Sequence, residues 1–187
     1  MEMKASRQLR DEHEGIRKML RIMEAMRKQA RNSGNFDKAH FAAILEFLKV
    51  FVDKCHHAKE EELLFPALEA AGVPSDGGPL GVMLHEHALG RELVKTMEVS
   101  FTALSKNGGK SALQEVSHHV EEYIALLSGH IDKENGILFD LADHVLSEMK
   151  QGELHEAFER IEEERIGVGK HEAFHELIYT LGKTYLS

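Results

Sequence analysis

The amino-acid sequence predicts an all-α protein: an up-down-up-down four-helix bundle with a C-terminal helical extension. Three observations predict it. Apolar residues recur at a 3.6-residue period over long stretches. Only three prolines and no β-branched runs interrupt them. The breaks fall in short clusters of Gly, Asn, Ser and Pro, and short connections between long amphipathic helices favour antiparallel neighbours.

Taken in order, the periodicity predicts helices at about 4–32, 36–72, 79–106 and 110–149, then a weaker pair near 152–165 and 170–186. Asn32-Ser33-Gly34-Asn35 closes the first. Gly72 to Pro79 is dense in helix breakers and separates the second from the third. Asn107-Gly108-Gly109 ends the third, and Lys110 or Ser111 opens the fourth. These limits place a bundle domain at 1–150 and a helical segment at 151–187 that packs on it. A weak internal echo relates His56-His57-Ala58-Lys59-Glu60 to His130-Ile131-Asp132-Lys133-Glu134, each followed by apolar residues ending in Phe.

With 187 residues the chain is long enough for one domain with its own core. The 32 acidic and 23 basic side chains leave a formal charge of -9, which argues against a nucleic-acid partner. Nothing in the sequence suggests a membrane span or signal peptide, so no membrane partner is expected. The single cysteine, Cys55, allows no intramolecular disulfide and suits a reducing, cytoplasmic setting. A homodimer is compatible with this composition, and a protein partner is not specified by it. The unusual number is 13 histidines.

Helical faces sort those histidines. His13 falls in the stripe of Leu9, Ile16, Leu20 and Met23. His56 sits near the centre of the stripe Phe41, Leu45, Leu48, Val52, Leu63 and Ala67, with Glu60 about 60° away on its inner edge. His57 and Glu61 lie more than about 100° off and are expected to face outward or a flank. His87 joins Leu80, Met83, Val94 and Phe101, whereas His85 points away. His130 and Glu134 share a face with Val116, Val120, Tyr123, Leu127, Leu138 and Leu141. His118 and Glu122 repeat the His-x-x-x-Glu spacing on the opposite face, so spacing selects a site only together with the apolar stripe.

A histidine and a glutamate at i and i+4 stack on one helix surface, about 6 Å apart along the axis. Ionised carboxylates inside a core are costly unless paired or metal-bound. Four inward histidines and two such carboxylates therefore point to metal ions, and imidazole with carboxylate suits iron, manganese or zinc. The candidate ligands are His13, His56, Glu60, His87, His130 and Glu134.

The matching stretches are Asp11-Glu12-His13-Glu14, His56-His57-Ala58-Lys59-Glu60-Glu61-Glu62-Leu63-Leu64-Phe65-Pro66, Leu84-His85-Glu86-His87 and His130-Ile131-Asp132-Lys133-Glu134. In this order they resemble the hemerythrin-like, or HHE cation-binding, family. The resemblance implies two non-heme iron ions joined by an oxo or hydroxo bridge. It makes His13, His56, His87 and His130 terminal ligands, with Glu60 and Glu134 bridging. Met83 stands where the oxygen carriers look to have a second histidine, and the cysteine-containing N-terminal segment of the cluster-repair branch is not seen. The resemblance therefore leans toward the bacterial and regulatory branches, away from oxygen transport as the sole role and from cluster repair.

Two irons want about twelve ligand positions, and these six side chains supply about eight, leaving room for a bridge and an exchangeable site. The expected partner is dioxygen, another small diatomic ligand such as nitric oxide, or peroxide. Leu63, Phe65, Leu127 and Leu138 are expected to keep that site dry. His57, His85 and Glu61 stand near its mouth, where a kink at Pro66 could rotate one inward. Cys55 reads as a small buried hydrophobe and the methionines as core filler.

Two other readings compete with a reactive di-iron protein: a non-enzymatic iron-handling or oxygen-binding protein, and a metal-free scaffold with a titrating core. His171-Glu172-Ala173-Phe174-His175 matches the zinc-protease pattern HExxH. It lacks a third ligand downstream and a strand to bind substrate, and its helix packs through Phe174, Ile178, Leu181 and Tyr185. One carboxylate of Glu162-Glu163-Glu164 could reach the metal mouth if the last segment folds over it.

Overall fold

A computed structural model describes residues 4–187 as helices joined by short turns, with no strand among the described residues. Residues 1–3 of the expected 1–150 domain lie outside the described residues. The first rod is α1, Ala5–Ser33, ended by Gly34 at φ 73, whose N–H bonds the Ala30 carbonyl. That left-handed cap is where glycine is needed. The second rod is nearly continuous: α2, Lys38–Phe47; a π-helical stretch, π1, Leu48–His57; a second, π2, Glu60–Leu64; and α3, Phe65–Ala70. The Asp37 side chain caps it by accepting from the His40 N–H at 2.9 Å. The third rod is α4, Pro79–Asn107, with Pro79 in its first turn. The fourth joins α5, Lys110–Lys133, to π3, Glu134–Leu138, and α6, Phe139–Val145.

The fourth rod stops at Val145 rather than near 149. Leu146 turns extended, and the Ser147 hydroxyl accepts from the Lys150 N–H at 3.2 Å, opening a new helix. That helix is α7, Glu148–Ile161, followed by π4, Glu162–Ile166, and α8, Lys170–Tyr185.

The four rods form the bundle, with α4 beside α5, α5 beside α1, and the second rod meeting both α1 and α4. The C-terminal helices cover the seam between α1 and the second rod: α8 packs on α1 and α2, α7 on α1 and π2, and π4 on π1. Phe174 of α8 meets Phe47 and Phe51 edge-on at 5.5 and 5.9 Å between ring centroids.

The apolar interior is divided. One cluster runs through Ile16, Met23, Phe41, Val52, Val94, Val120 and Leu127. The other holds Leu9, Leu64, Phe65, Met83, Leu138 and Phe139. Each rod passes from one cluster to the other; His13, His56 and His87 stand at three of the crossings, and Glu134, one turn after His130, stands at the fourth.

Because Phe174 fills the larger cluster, Phe174→Ala is expected to cost about 3–5 kcal/mol in urea denaturation. Tyr179, half exposed on the outer face of α8, should tolerate alanine to within about 0.5 kcal/mol. Equal losses at the two positions would mean that α8 is not part of the core.

Candidate metal centre

Helical geometry delivers the six predicted side chains to one layer. His13 lies on α1, His87 on α4 and His130 near the end of α5. His56 falls in π1, Glu60 opens π2 and Glu134 opens π3. A π turn adds a residue to the helical repeat, and such turns occur often at functional sites. All six side chains are at most 2 % exposed.

The layer consists of two imidazole pairs. His13 Nε2 and His56 Nε2 are 2.9 Å apart, and His87 Nε2 and His130 Nε2 are 3.0 Å apart. Each opposite ring nitrogen is held from behind. His56 Nδ1 meets Glu12 Oε2 at 2.7 Å, His13 Nδ1 meets Asn135 Oδ1 at 2.8 Å, His87 Nδ1 meets Glu61 Oε1 at 2.7 Å, and His130 Nδ1 meets Glu86 Oε2 at 3.0 Å. An ionised carboxylate or an amide oxygen only accepts, so Nδ1 donates, and in a neutral ring Nε2 then carries a bare lone pair. Two lone pairs at such distances repel unless a cation or a proton lies between them.

The two glutamates sharpen this conflict. All four oxygens of Glu60 and Glu134 are buried with no hydrogen-bond donor. Glu134 Oε2 is 3.2 Å from both His13 Nε2 and His130 Nε2, while its Oε1 is 3.8 Å from His87 Nε2. Glu60 Oε1 is 3.6 Å from His56 Nε2, and Oε2 is 3.4 Å from His87 Nε2. Each carboxylate thus spans both imidazole pairs. Donor atoms of His13, His56, Glu60 and Glu134 lie within 4.8 Å of one another, as do those of His57, Glu60, His87 and His130. The residues fit two cation positions side by side with Glu60 common to both. Histidines fixed at Nδ1 and aimed through Nε2 are the usual arrangement around a metal ion.

Residues 4–142 match the family described as hemerythrin HHE cation binding domain. The chain belongs to that family. It is also 31% identical over 105 residues to the iron-sulfur cluster repair protein YtfE of Yersinia pseudotuberculosis serotype IB (strain PB1/+) and of Yersinia pestis (strain Pestoides F). The match covers 56% of this chain but 45% of each relative, so the chain spans less than half the length of these curated proteins. No solved structure matches it.

Against the expectation from periodicity, this HHE chain does not turn His57 outward. The ring is buried, stacks on His87 at 3.9 Å between centroids, and has no hydrogen-bond partner at either nitrogen. The reason is π1, in which each residue advances less than the 100° assumed for an α-helix, so His56 and His57 both reach the interior. The rotation arises upstream of Pro66 and owes nothing to a proline kink. Burial, then the nearby His87, His56 and His130, holds His57 well below the ordinary imidazole value and leaves it neutral. Glu61 stays partly exposed and supports His87 rather than entering the centre. His85 is exposed. His118 and Glu122 form an exposed group with His119, away from the core.

Glu12, Glu86 and Asn135 also went unassigned in the periodic reading. Each flanks a recognised histidine or glutamate in the motif stretches, but only the packing shows which ring it holds. Phe139 stacks on His13 and Phe65 on His87, at 5.3 and 5.8 Å, and with Leu127 and Leu138 they close the layer against water. Leu63 is only partly buried beside them.

A buried cation supports the HHE centre from outside. Lys59 is fully buried, and its ammonium donates to Glu12 Oε1 at 2.5 Å and to Glu162 Oε1. Burial pushes the Glu12 carboxyl up, but Lys59 and His56 outweigh it and hold it down at about 2. Glu162 therefore answers Lys59 and does not enter the metal mouth. The HExxH segment reaches this network through its first histidine. His171 comes within 4.0 Å of Glu162, beside Glu12, but Lys59 already supplies the cation there. Cys55 is buried and its thiol is pushed up to about 12, chiefly by burial, which leaves it unreactive.

Lys59→Met strands two buried or part-buried carboxylates, and the expected loss is about 3–5 kcal/mol in chemical denaturation. A loss no larger than that of an exposed lysine such as Lys54 would remove Lys59 from this supporting role.

Proposed function

We propose that this HHE protein is a non-heme di-iron protein that binds, senses or reduces a small ligand: dioxygen, peroxide or nitric oxide. The observation that carries the reading is the meeting of four imidazole Nε2 atoms with four carboxylate oxygens that accept no hydrogen bond, in a buried layer between two apolar clusters. Iron is favoured because the donors combine imidazole with carboxylates able to span two ions. The proposed ligands are His13, His56, Glu60, His87, His130 and Glu134. When bound, two iron ions would supply electrons and open coordination positions.

The protein's part is mostly electrostatic and steric. Glu60 and Glu134 offset cationic charge. Glu12, Glu61, Glu86 and Asn135 hold each ring with its proton on Nδ1 and make the imidazoles more basic. Phe65, Phe139, Leu127 and Leu138 exclude bulk water. The burial of the whole layer favours a ligand of a few atoms over a cluster carried on another protein. The cluster-repair role in the names of the Yersinia relatives is therefore the second reading, carried by their likeness over part of the bundle.

Metal analysis and an absorption spectrum of protein purified without chelator test the proposal. About two irons per chain are expected. His56→Ala and Glu134→Ala should lose most of that metal, whereas His118→Ala should retain it. Equal metal content in the three variants, or a fully folded wild-type protein without metal, would overturn the reading. Turnover of peroxide or nitric oxide by the iron-loaded protein would then separate an enzyme from a binder.

A further inference from the structure

His57 differs from the four paired histidines in one respect. Each of those has its Nδ1 held by a carboxylate or amide oxygen at 3.0 Å or less. His57 has no such support, because its nearest acidic neighbour, Asp53 Oδ1, is 3.7 Å from Nδ1 and makes no hydrogen bond. Metal-bound histidines are almost always fixed at the other ring nitrogen. His57 is thus close to the centre but held by ring packing on His87, His56 and His130 rather than by a hydrogen bond.

Behind His57 lies a cavity of about 410 Å³ between the second rod and α4, open to solvent at its far side. Val52, Val94 and Tyr123 form its apolar wall, and His57 is the one candidate metal donor that lines it. Its charged groups balance pair by pair. Lys49 bonds Glu98 at 2.5 Å, Arg91 bonds Asp53 at 2.6 Å, and Lys95 bonds Glu92 at 2.6 Å. Such a rim has little net field with which to draw in or repel an ion. A larger cavity, about 870 Å³, lies elsewhere around Arg31, Phe36 and Leu113 and is lined by none of the candidate ligands.

We propose that the cavity behind His57 is the binding and entry site for an uncharged diatomic molecule, and that His57 is its movable inner wall. A diatomic molecule settles against Val52, Val94 and Tyr123, and rotation of the unanchored imidazole opens the last step toward the layer of His87 and His130. A charged ligand gains nothing from the paired rim and would have to be desolvated against the apolar wall. The cavity's link to the chemistry rests on the di-iron reading, but its occupancy does not.

The test has two arms. Crystals of the full-length protein, as purified, are pressurised with xenon, a neutral atom that reports apolar cavities. Xenon is expected between Val52, Val94 and Tyr123, and it should vanish in Val52→Trp. Absence of xenon from that position in the wild type would overturn the site whatever metal is bound. In the second arm, nitric oxide is mixed with the iron-loaded protein by stopped flow. Val52→Trp should slow association about tenfold with iron content unchanged, and His57→Ala should speed it. The rate should be independent of ionic strength. An unchanged rate in a folded plug variant would place the entry elsewhere and overturn the proposal. If Val52→Trp does not fold, Val94→Phe fills the same wall from α4 and is read in the same way. A protein without iron would fail the second arm and the di-iron reading together, and the xenon arm would still decide the cavity.

Discussion

Acceptor groups facing one another inside a bundle form the constraint on which the rest of the structure depends. Glu60 and Glu134 present four oxygens that accept no hydrogen bond, and His13, His56, His87 and His130 present four Nε2 atoms to them. Water is excluded by the apolar clusters on either side. In a medium of low polarity such a layer repels itself, and neutralising it requires positive charge at its centre. The π segments coincide with that layer, since His56, Glu60 and Glu134 all lie in them.

Support for this layer comes in two tiers. Glu12, Glu61, Glu86 and Asn135 fix the rings, and cations then fix the carboxylates. Lys59 holds Glu12, Arg91 holds Glu61 at 2.7 Å, and Lys133 holds Glu86. Through Lys59 the support extends to Glu162 and so to the C-terminal helices. His56, a candidate ligand, is thereby tied to a segment beyond the family match, which ends at residue 142. The segment also contributes Phe174, Ile178 and Leu181 to the main core.

The six candidate ligands were legible because each combines two signals, a metal-binding side chain and a place on an apolar stripe. His118 and Glu122 have the first signal without the second, and they are exposed. His57 reverses the case: its position off the stripe disguised a buried ring, because the periodic reading assumed α-helical spacing through Leu48–His57. Cys55 through Glu60 are six consecutive buried residues, a pattern that no single amphipathic face predicts. It arises because α1, α4 and the C-terminal helices surround the second rod on three sides.

Local periodicity and turn chemistry were enough to determine an all-helical chain, the ends of most rods and the six donors that face inward, because those properties depend on residues a few positions apart. Which ring each carboxylate holds, the burial of Lys59, the inward turn of His57 and the cavity behind it were decided only in three dimensions. They depend on side chains that are often tens of residues apart along the chain. Helix spacing carries no record of which rod lies across from which, and that apposition alone sets the hydrogen-bond partners.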